Sequence, residues 1–189
     1  MPPKVKITKE KILECALDMV RKNGFSSVNA RILAKELGCS TQPIFSNYPT
    51  MDALKEDILS FANTTYLNYL KDDMAKNEYP TYKASGMAYI HFAKEEKELF
   101  KLLFMRDRTD EDQNKRTDDF EEIVSIVQKN LGISREKALI FHLEMWVYVH
   151  GIGARIATSY LEFDKELISQ MLSDSYLGLK KHYLSEEQK

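Results

Sequence analysis

Apolar residues recur along this chain at intervals of three and four positions, which is the spacing of one face of an α-helix. Strand-like alternation is absent, and glycine and proline number only seven and five. The pattern therefore predicts an all-α protein. The predicted helices cover residues 8–23, 30–37, 41–48, a long segment from about 50, then 81–94, 96–105, 118–130, 135–160 and 164–183.

The second and third predicted helices are joined by a short turn with a glycine, Gly38-Cys39-Ser40. Asn29 is a good N-cap for the second helix, and Ser40 is the predicted N-cap of the third. Two capped helices around such a turn form a helix-turn-helix, whose second helix commonly enters the major groove of DNA. The alternative for this pattern is a pair of packed helices with a solvated polar face.

In the third helix, Ile44 and Phe45 are predicted to point inward. The polar side chains predicted to point outward are those of Thr41, Gln42, Ser46 and Asn47. Their donors and acceptors suit base edges, and Gln or Asn can bind adenine through two hydrogen bonds. Charge is distributed in a way that fits this interpretation. Residues 1–50 carry a net charge of +4 and the rest of the chain −6, although such an asymmetry also arises by chance.

A longer series of features follows the same order as in a known family. It comprises a glycine and an aromatic residue after the first helix, an Ala–Lys pair in the second, a Gly–apolar–Ser turn, an aromatic-rich third helix, and a leucine opening the fourth. These residues are Gly24-Phe25, Ala34-Lys35, Gly38-Cys39-Ser40, Phe45, Tyr48 and Leu54. Over Ile12 to Leu54 the chain thereby resembles the N-terminal domain of the TetR family of bacterial transcription regulators.

This resemblance implies a helix-turn-helix DNA-binding domain at residues 1–49 and a helical effector-binding and dimerisation domain at residues 50–189. The chain departs from the family pattern at Phe45, usually Tyr, at Asn47, usually aromatic or His, and at Met51, often a phosphate-binding Lys. Lys55, one turn later, is a candidate replacement for that lysine. The residues predicted to contact DNA are Asn29, Arg31, Thr41, Gln42, Ser46, Asn47, Tyr48 and Lys55.

The C-terminal half carries a shorter resemblance, the run WVYVHG at residues 146–151, which is similar to a segment in one group of TetR-like domains. It implies an effector cavity and a helical dimer interface, whereas the alternative is ordinary packing within one subunit. The predicted effector-binding residues are Tyr66, Tyr89, Phe92, Phe104, His142, Met145, Trp146 and His150. The predicted dimer-interface residues are Gly153, Ala157, Ile168, Leu172, Ser175 and Leu179.

Other classes of protein are disfavoured by what the sequence lacks. It contains no metal-spaced Cys/His set, no Glu-x-x-His pair, no P-loop and no nucleophile motif, so we expect no enzyme activity, no catalytic residues, no metal and no cofactor. Without a signal peptide or a long apolar segment, a cytoplasmic location without membrane partners is expected. Cys15 and Cys39 fit reduced core positions better than a disulfide.

These observations together predict a homodimeric regulator. It is expected to be a repressor that leaves an inverted-repeat operator in double-stranded DNA when a small hydrophobic effector binds. The alternative is a helical interaction or sensing module that no longer binds DNA, because Met51 replaces a lysine and the third helix carries no Lys or Arg.

Overall fold

The computed structural model describes residues 7–109 and 120–186, and within them all regular structure is helical. The predicted all-α class is therefore confirmed. The start of the helix predicted at 118–130 lies partly outside the described residues. The helices are α1 (Lys9–Asn23), α2 (Ala30–Glu36), α3 (Gln42–Asn47), α4 (Met51–Ala75), α5 (Thr81–Glu95), α6 (Lys97–Phe104), α7 (Phe120–Leu131), α8 (Arg135–Ala157) and α9 (Lys165–Glu186), with a 3-10 turn at Phe25–Ser27.

Local capping explains where the first helices begin and end. The Thr8 side chain accepts a hydrogen bond from the Lys11 amide (3.3 Å), and the Asn29 side chain accepts one from the Ile32 amide (3.0 Å). Gly24 ends α1 at a φ of 79°, a conformation that suits glycine. The predicted Ser40 cap is wrong, because the N-cap of α3 is Thr41, which has helical backbone angles and makes no side-chain cap bond.

The chain divides into two compact units. Unit 1 consists of Met1–Leu67 and Glu96–Arg106, and unit 2 of Asn68–Glu95 and Asp107–Lys189. The division predicted at residues 49 and 50 concerned function, which these compact units do not test.

Unit 1 is held together by α1, which contacts α2, α3 and α6. The apolar stripe predicted for α1 is buried at Ile12, Ala16, Leu17 and Val20. Leu33, Ile44, Tyr48, Leu54, Ile58, Leu99 and Phe100 complete this core. Arg21 of α1 adds a two-point ion pair to Glu96, with nitrogen–oxygen distances of 2.8 and 2.9 Å.

Unit 2 is organised around α8, which packs along α5, α7 and α9. Gly86 of α5 faces both α8 and α9, since a Cβ at this position would make ordinary van der Waals contacts with the Leu172 side chain at 3.4 Å and that of Val149 at 3.5 Å. At the α7 end, aromatic rings of Tyr82, Tyr176 and Tyr183 surround the buried Phe141. Such close packing fixes the relative positions of α5, α8 and α9 within the unit.

Candidate functional site

The α2–α3 connection in unit 1 is a tight turn closed by backbone hydrogen bonds. The Cys39 amide donates to the Ala34 carbonyl (2.9 Å) and the Gly38 amide to the Lys35 carbonyl (3.1 Å). Gly38 has a φ of 63°, in the left-handed region, where a side chain would be strained. This turn ends α2 and fixes the point at which α3 begins.

The inward face of α3 consists of few side chains, because the helix has only six residues. Ile44 is fully buried and Tyr48, four positions later, is 1% exposed. Phe45 lies about 100° further round the helix than Ile44 and is 45% exposed. The expectation that Phe45 points inward is therefore wrong, and the outward face of α3 includes an aromatic ring.

Gln42 and Ser46 are exposed beside Phe45 on α3. The Ser46 hydroxyl donates to the Gln42 carbonyl (2.9 Å), so part of its hydrogen-bonding capacity is used within the helix. The Gln42 side chain makes no hydrogen bond to any described residue, whereas Thr41 is half-buried at the start of the helix. Of the four side chains predicted to face outward, Gln42 is thus the most available to a partner.

Two residues predicted to contact DNA make side-chain hydrogen bonds within unit 1. The Asn47 side-chain amide donates to the carbonyls of Pro43 (2.8 Å) and Ile7 (3.3 Å) and is half-buried. Tyr48 is buried, and its hydroxyl donates to the Asp57 carboxylate (3.0 Å). The nearly complete burial of Tyr48 leaves its side chain no surface for DNA, and this part of the predicted set is corrected.

Three further predicted DNA contacts lie outside α3. Asn29 is exposed, but its side chain caps α2. Lys55 is half-buried and pairs with Asp52 at 3.0 Å. Arg31 is exposed and forms no ion pair with a described residue.

Besides Arg31, unit 1 carries several exposed lysines. Lys11, Lys22 and Lys35 are exposed and take part in no ion pair with a described residue, whereas Lys9 pairs with Asp57 at 2.8 Å. On α2, the apolar Ile32 is 44% exposed among the charged positions 31, 35 and 36. Cations of this kind suit phosphates, and exposed apolar groups suit the thymine methyl.

The predicted effector residues are divided between the two units. In unit 1, the rings of Tyr66 and Phe104 meet edge to face at 5.2 Å between centroids. The other six lie in unit 2, where Phe92 packs against Tyr69 and Met145 belongs to the buried cluster around Phe141. None of the eight lines the cavity of about 330 Å³ that unit 2 contains.

Two Tyr–His pairs connect α5 to α8. The hydroxyl of Tyr82 lies 3.1 Å from His142 Nδ1, and that of Tyr89 lies 2.9 Å from His150 Nδ1. Burial of each imidazole lowers the pKa of His142 and of His150 below the ordinary value of 6.5. Trp146 stacks on His150, with ring centroids 5.5 Å apart, and is 40% exposed.

Most of the predicted dimer-interface residues are used within unit 2. Gly153, Ala157, Ile168 and Leu172 are buried, and Ser175 and Leu179 are half-buried. Four of the six thus have little surface to offer a second chain. Apolar residues that are exposed on α8 include Ile140 (49%), Leu143 (38%) and Val147 (62%), none of which was predicted. The sequence pattern did not single them out, because every side of α8 is rich in apolar residues.

Over residues 7–109 and 120–186, no group of three or more His, Cys, Asp or Glu side chains is placed to hold a metal ion. In the same part of the chain, none of the helices combines the length and the apolar character that a bilayer crossing requires. Cys15 and Cys39 are free thiols and half-buried. Comparison of the chain with protein-family models and with curated proteins gave no match.

Proposed function

We propose that this protein is a cytoplasmic, TetR-like transcription regulator that binds an inverted-repeat operator in double-stranded DNA as a homodimer. The observation that carries the proposal is the exposed face of α3. Gln42, Phe45 and Ser46 are open to a partner there, on a helix positioned by a tight turn after α2. Residues 1–49 act as the helix-turn-helix DNA-binding domain, and residues 50–189 serve the effector and the dimer.

Within this proposal, α3 enters the major groove. Gln42 offers two hydrogen bonds to an adenine, and Phe45 contacts a thymine methyl or the sugar–phosphate backbone. Arg31 and Lys35 on α2 neutralise phosphates, which supplies affinity without sequence preference. Thr41, Ser46 and Lys55 take secondary parts, while Asn29 and Asn47 hold the helices that present the reading side chains.

The dimer is proposed to form through the exposed apolar face of α8 rather than through the residues predicted first. Ile140, Leu143 and Val147 are spaced three and four positions apart, so they follow one side of the helix. Gly151, one turn further, has no neighbouring atom within 4 Å of a Cβ built on it. A flat apolar stripe of this type pairs with its own copy around a two-fold axis.

A repressor also needs two states that an effector binds unequally. The effector is proposed to be a small hydrophobic molecule bound by unit 2, and its binding releases the operator. The unit 2 residues predicted for this role stay a prediction, although none of them lines the cavity of about 330 Å³: Tyr89, Phe92, His142, Met145, Trp146 and His150.

A second function is favoured by three features of unit 1. Lys55 is engaged with Asp52, α3 carries no cation, and Met51 stands where the family often has lysine. A chain with these features that has lost DNA binding would act as a helical interaction or sensing module.

A band-shift titration separates the two functions. Wild-type protein and the variants Gln42→Ala and Lys35→Ala are titrated against duplex from the region upstream of the protein's own gene and against a scrambled duplex. Lys181→Ala, an exposed lysine on α9, is the matched control. We expect Gln42→Ala to lose sequence preference, Lys35→Ala to weaken both duplexes, and the control to bind like wild type. Absence of a shift on both duplexes in low salt favours the module.

A further inference from the structure

Unit 2 contains a cavity of about 330 Å³ that lies away from the residues predicted to bind an effector. It is bounded by the end of α4, the α4–α5 connection, α5, the α8–α9 connection and the first turn of α9. Its volume is at the lower end of the range of about 300–1,000 Å³ that is typical of small-molecule sites. The lining residues are Asp73, Lys76, Glu78, Tyr79, Ala84, Met87, Ile90, His91, Lys94, Glu95, Phe163, Lys165 and Ile168.

The floor of the cavity is apolar. Ile90, Ile168 and Ala84 are buried, and the side chain of Ala84 is a single methyl group. Met87 and Phe163 are half-buried at the sides. The flexible methionine side chain adapts its shape to an apolar molecule in the cavity.

The connection from α4 to α5 lines the cavity through Lys76, Glu78 and Tyr79 and forms a turn. After α4 ends, Asn77 adopts a φ of 52°, in the left-handed region, which asparagine tolerates better than most residues. The Lys76 and Asn77 amides donate to the carbonyls of Asp73 and Met74, both at 3.3 Å. Lys165 of α9 clamps this connection through Glu78, with nitrogen–oxygen distances of 2.6 and 2.7 Å.

The lining carries three lysines and three carboxylates, which differ in whether they are paired. The Asp73 carboxylate has two partners, Lys76 at 2.5 Å on Oδ1 and His91 at 2.8 Å on Oδ2, so each of its oxygens is already engaged. Lys94 lies exposed on the rim and forms no ion pair with a described residue, although Glu95 lines the cavity next to it.

Lys83 is a further cation that contacts Tyr79, one of the lining residues. The Lys83 ammonium lies 4.8 Å from the centre of the Tyr79 ring and donates to the hydroxyls of Ser169 (2.7 Å) and Ser173 (2.8 Å). It has no carboxylate partner among the described residues. Lys83 lies outside the lining, where it adds one cation beside three lysines and three carboxylates.

We propose that this cavity binds a small amphipathic organic acid, whose apolar body packs on the apolar lining and whose carboxylate meets Lys94. Such a molecule satisfies both parts of the site, because its body replaces water against apolar side chains and its carboxylate pairs with the Lys94 ammonium. Binding of the acid is argued from the cavity alone. Its role as the effector rests on the proposed function.

The test uses three probes that share one ring system and differ in charge: 2-naphthoate, 2-naphthylmethanol and 2-naphthylmethylammonium. Each is titrated calorimetrically into the full chain in the absence of DNA. We expect affinity to fall in that order, by about two- to fivefold at each step, which is the range that partly exposed charge pairs contribute. Equal affinity for the three probes, tighter binding of the ammonium, or no binding of any of them would overturn the proposal.

Three variants test whether naphthoate binds in this cavity. Met87→Trp should fill the floor and abolish naphthoate binding, and Lys94→Gln should lower naphthoate affinity about two- to fivefold while leaving the alcohol unchanged. Lys181→Gln, on an exposed part of α9 outside the lining, is the control and should bind like wild type.

Circular dichroism checks the fold of each variant. If Met87→Trp loses its helical signal, Phe163→Ala replaces it and should weaken all three probes alike. Unchanged naphthoate binding in a folded floor variant would contradict this site. Because the titrations contain no DNA, a negative result would contradict the cavity site without bearing on DNA binding. In the same way, a protein that does not bind DNA can still be tested for naphthoate binding.

Discussion

The hydroxyl of Tyr48 donates a hydrogen bond of 3.0 Å to the carboxylate of Asp57 in unit 1. Lys9 contacts both groups, at 2.8 Å from the Asp57 carboxylate and 4.9 Å from the centre of the Tyr48 ring. Burial and the neighbouring carboxylate raise the pKa of Tyr48, and the Lys9 ammonium lowers the pKa of Asp57. The start of α1, the end of α3 and the first half of α4 are joined at this point.

Replacing the Tyr48 hydroxyl by hydrogen tests this junction. We expect Tyr48→Phe to lower the free energy of unfolding by about 1 kcal/mol, since one hydrogen bond to a carboxylate is lost and the ring still fills the core. Urea titration followed by circular dichroism measures the change. DNA affinity of the folded variant should not change, because the hydroxyl is covered. Full stability with weakened DNA binding would place Tyr48 at the DNA surface after all.

Gln42 and Asn47 were predicted together from the sequence, and the structure separates them. Gln42→Ala should leave stability unchanged and lower the preference for the cognate duplex by about 1–3 kcal/mol if the amide reads an adenine through two bonds. Asn47→Ala should destabilise unit 1, because its amide bonds to the carbonyls of Pro43 and Ile7 are lost. Unfolding and binding curves for both variants decide the assignment. A stable Asn47→Ala variant that loses sequence preference would reverse the two roles.

The helices of this chain could be predicted because their boundaries are local. Thr8 and Asn29 cap the helices that follow them, and Gly24 and Gly38 end helices in backbone conformations that glycine favours. Such signals depend on neighbours within four positions. The predicted Ser40 cap failed because α3 begins at Gln42 with Thr41 as its N-cap, one residue later than a cap at Ser40 requires.

The direction of individual side chains was harder to predict. Phe45 and Tyr48 are both aromatic residues of the third helix, but only Tyr48 lies four positions from the buried Ile44. In α8 the apolar residues surround the helix, so periodicity does not distinguish the buried Gly153 from the exposed Val147. The cavity near Met87 depends on residues from α4, α5 and α9, which the sequence gives no means of bringing together.

The Tyr–His pairs predict a pH dependence of stability. Because burial lowers the pKa of His142 and His150, the unfolded chain takes up protons at a higher pH than the folded chain does. The free energy of unfolding should therefore be greatest above about pH 7 and fall as the pH drops through the unfolded value toward the folded one. Below the folded pKa values these two residues should cause no further loss.

Urea titrations between pH 8 and pH 5.5 measure this dependence. The double variant His142→Gln, His150→Gln should have a flatter profile than wild type, because neutral amides replace the titrating rings. His182→Gln, at an exposed position on α9, is the control and should keep the wild-type slope. An unaltered slope in the double variant would show that other groups dominate in this range.

The exposed stripe of α8 predicts where the dimer forms. Val147→Glu should convert a dimer to a monomer, because it places a carboxylate in the middle of an apolar surface that is 62% exposed at this residue. Gln128→Glu, at an exposed polar position on α7, adds the same charge as a control. Sedimentation velocity gives the masses directly. A dimeric Val147→Glu protein would place the interface elsewhere.

DNA binding by α3 is the central claim, and selection from a random duplex library tests it most directly. Duplexes retained by the full chain are sequenced, and the enriched sequence is titrated by fluorescence anisotropy at several salt concentrations. We predict an inverted repeat whose half-sites are one helical turn, about 34–36 Å, or a multiple of that apart, with affinity falling steeply as salt rises. Enrichment should disappear with Gln42→Ala. Selection that enriches no sequence, or retention that Gln42→Ala leaves unchanged, would contradict the account.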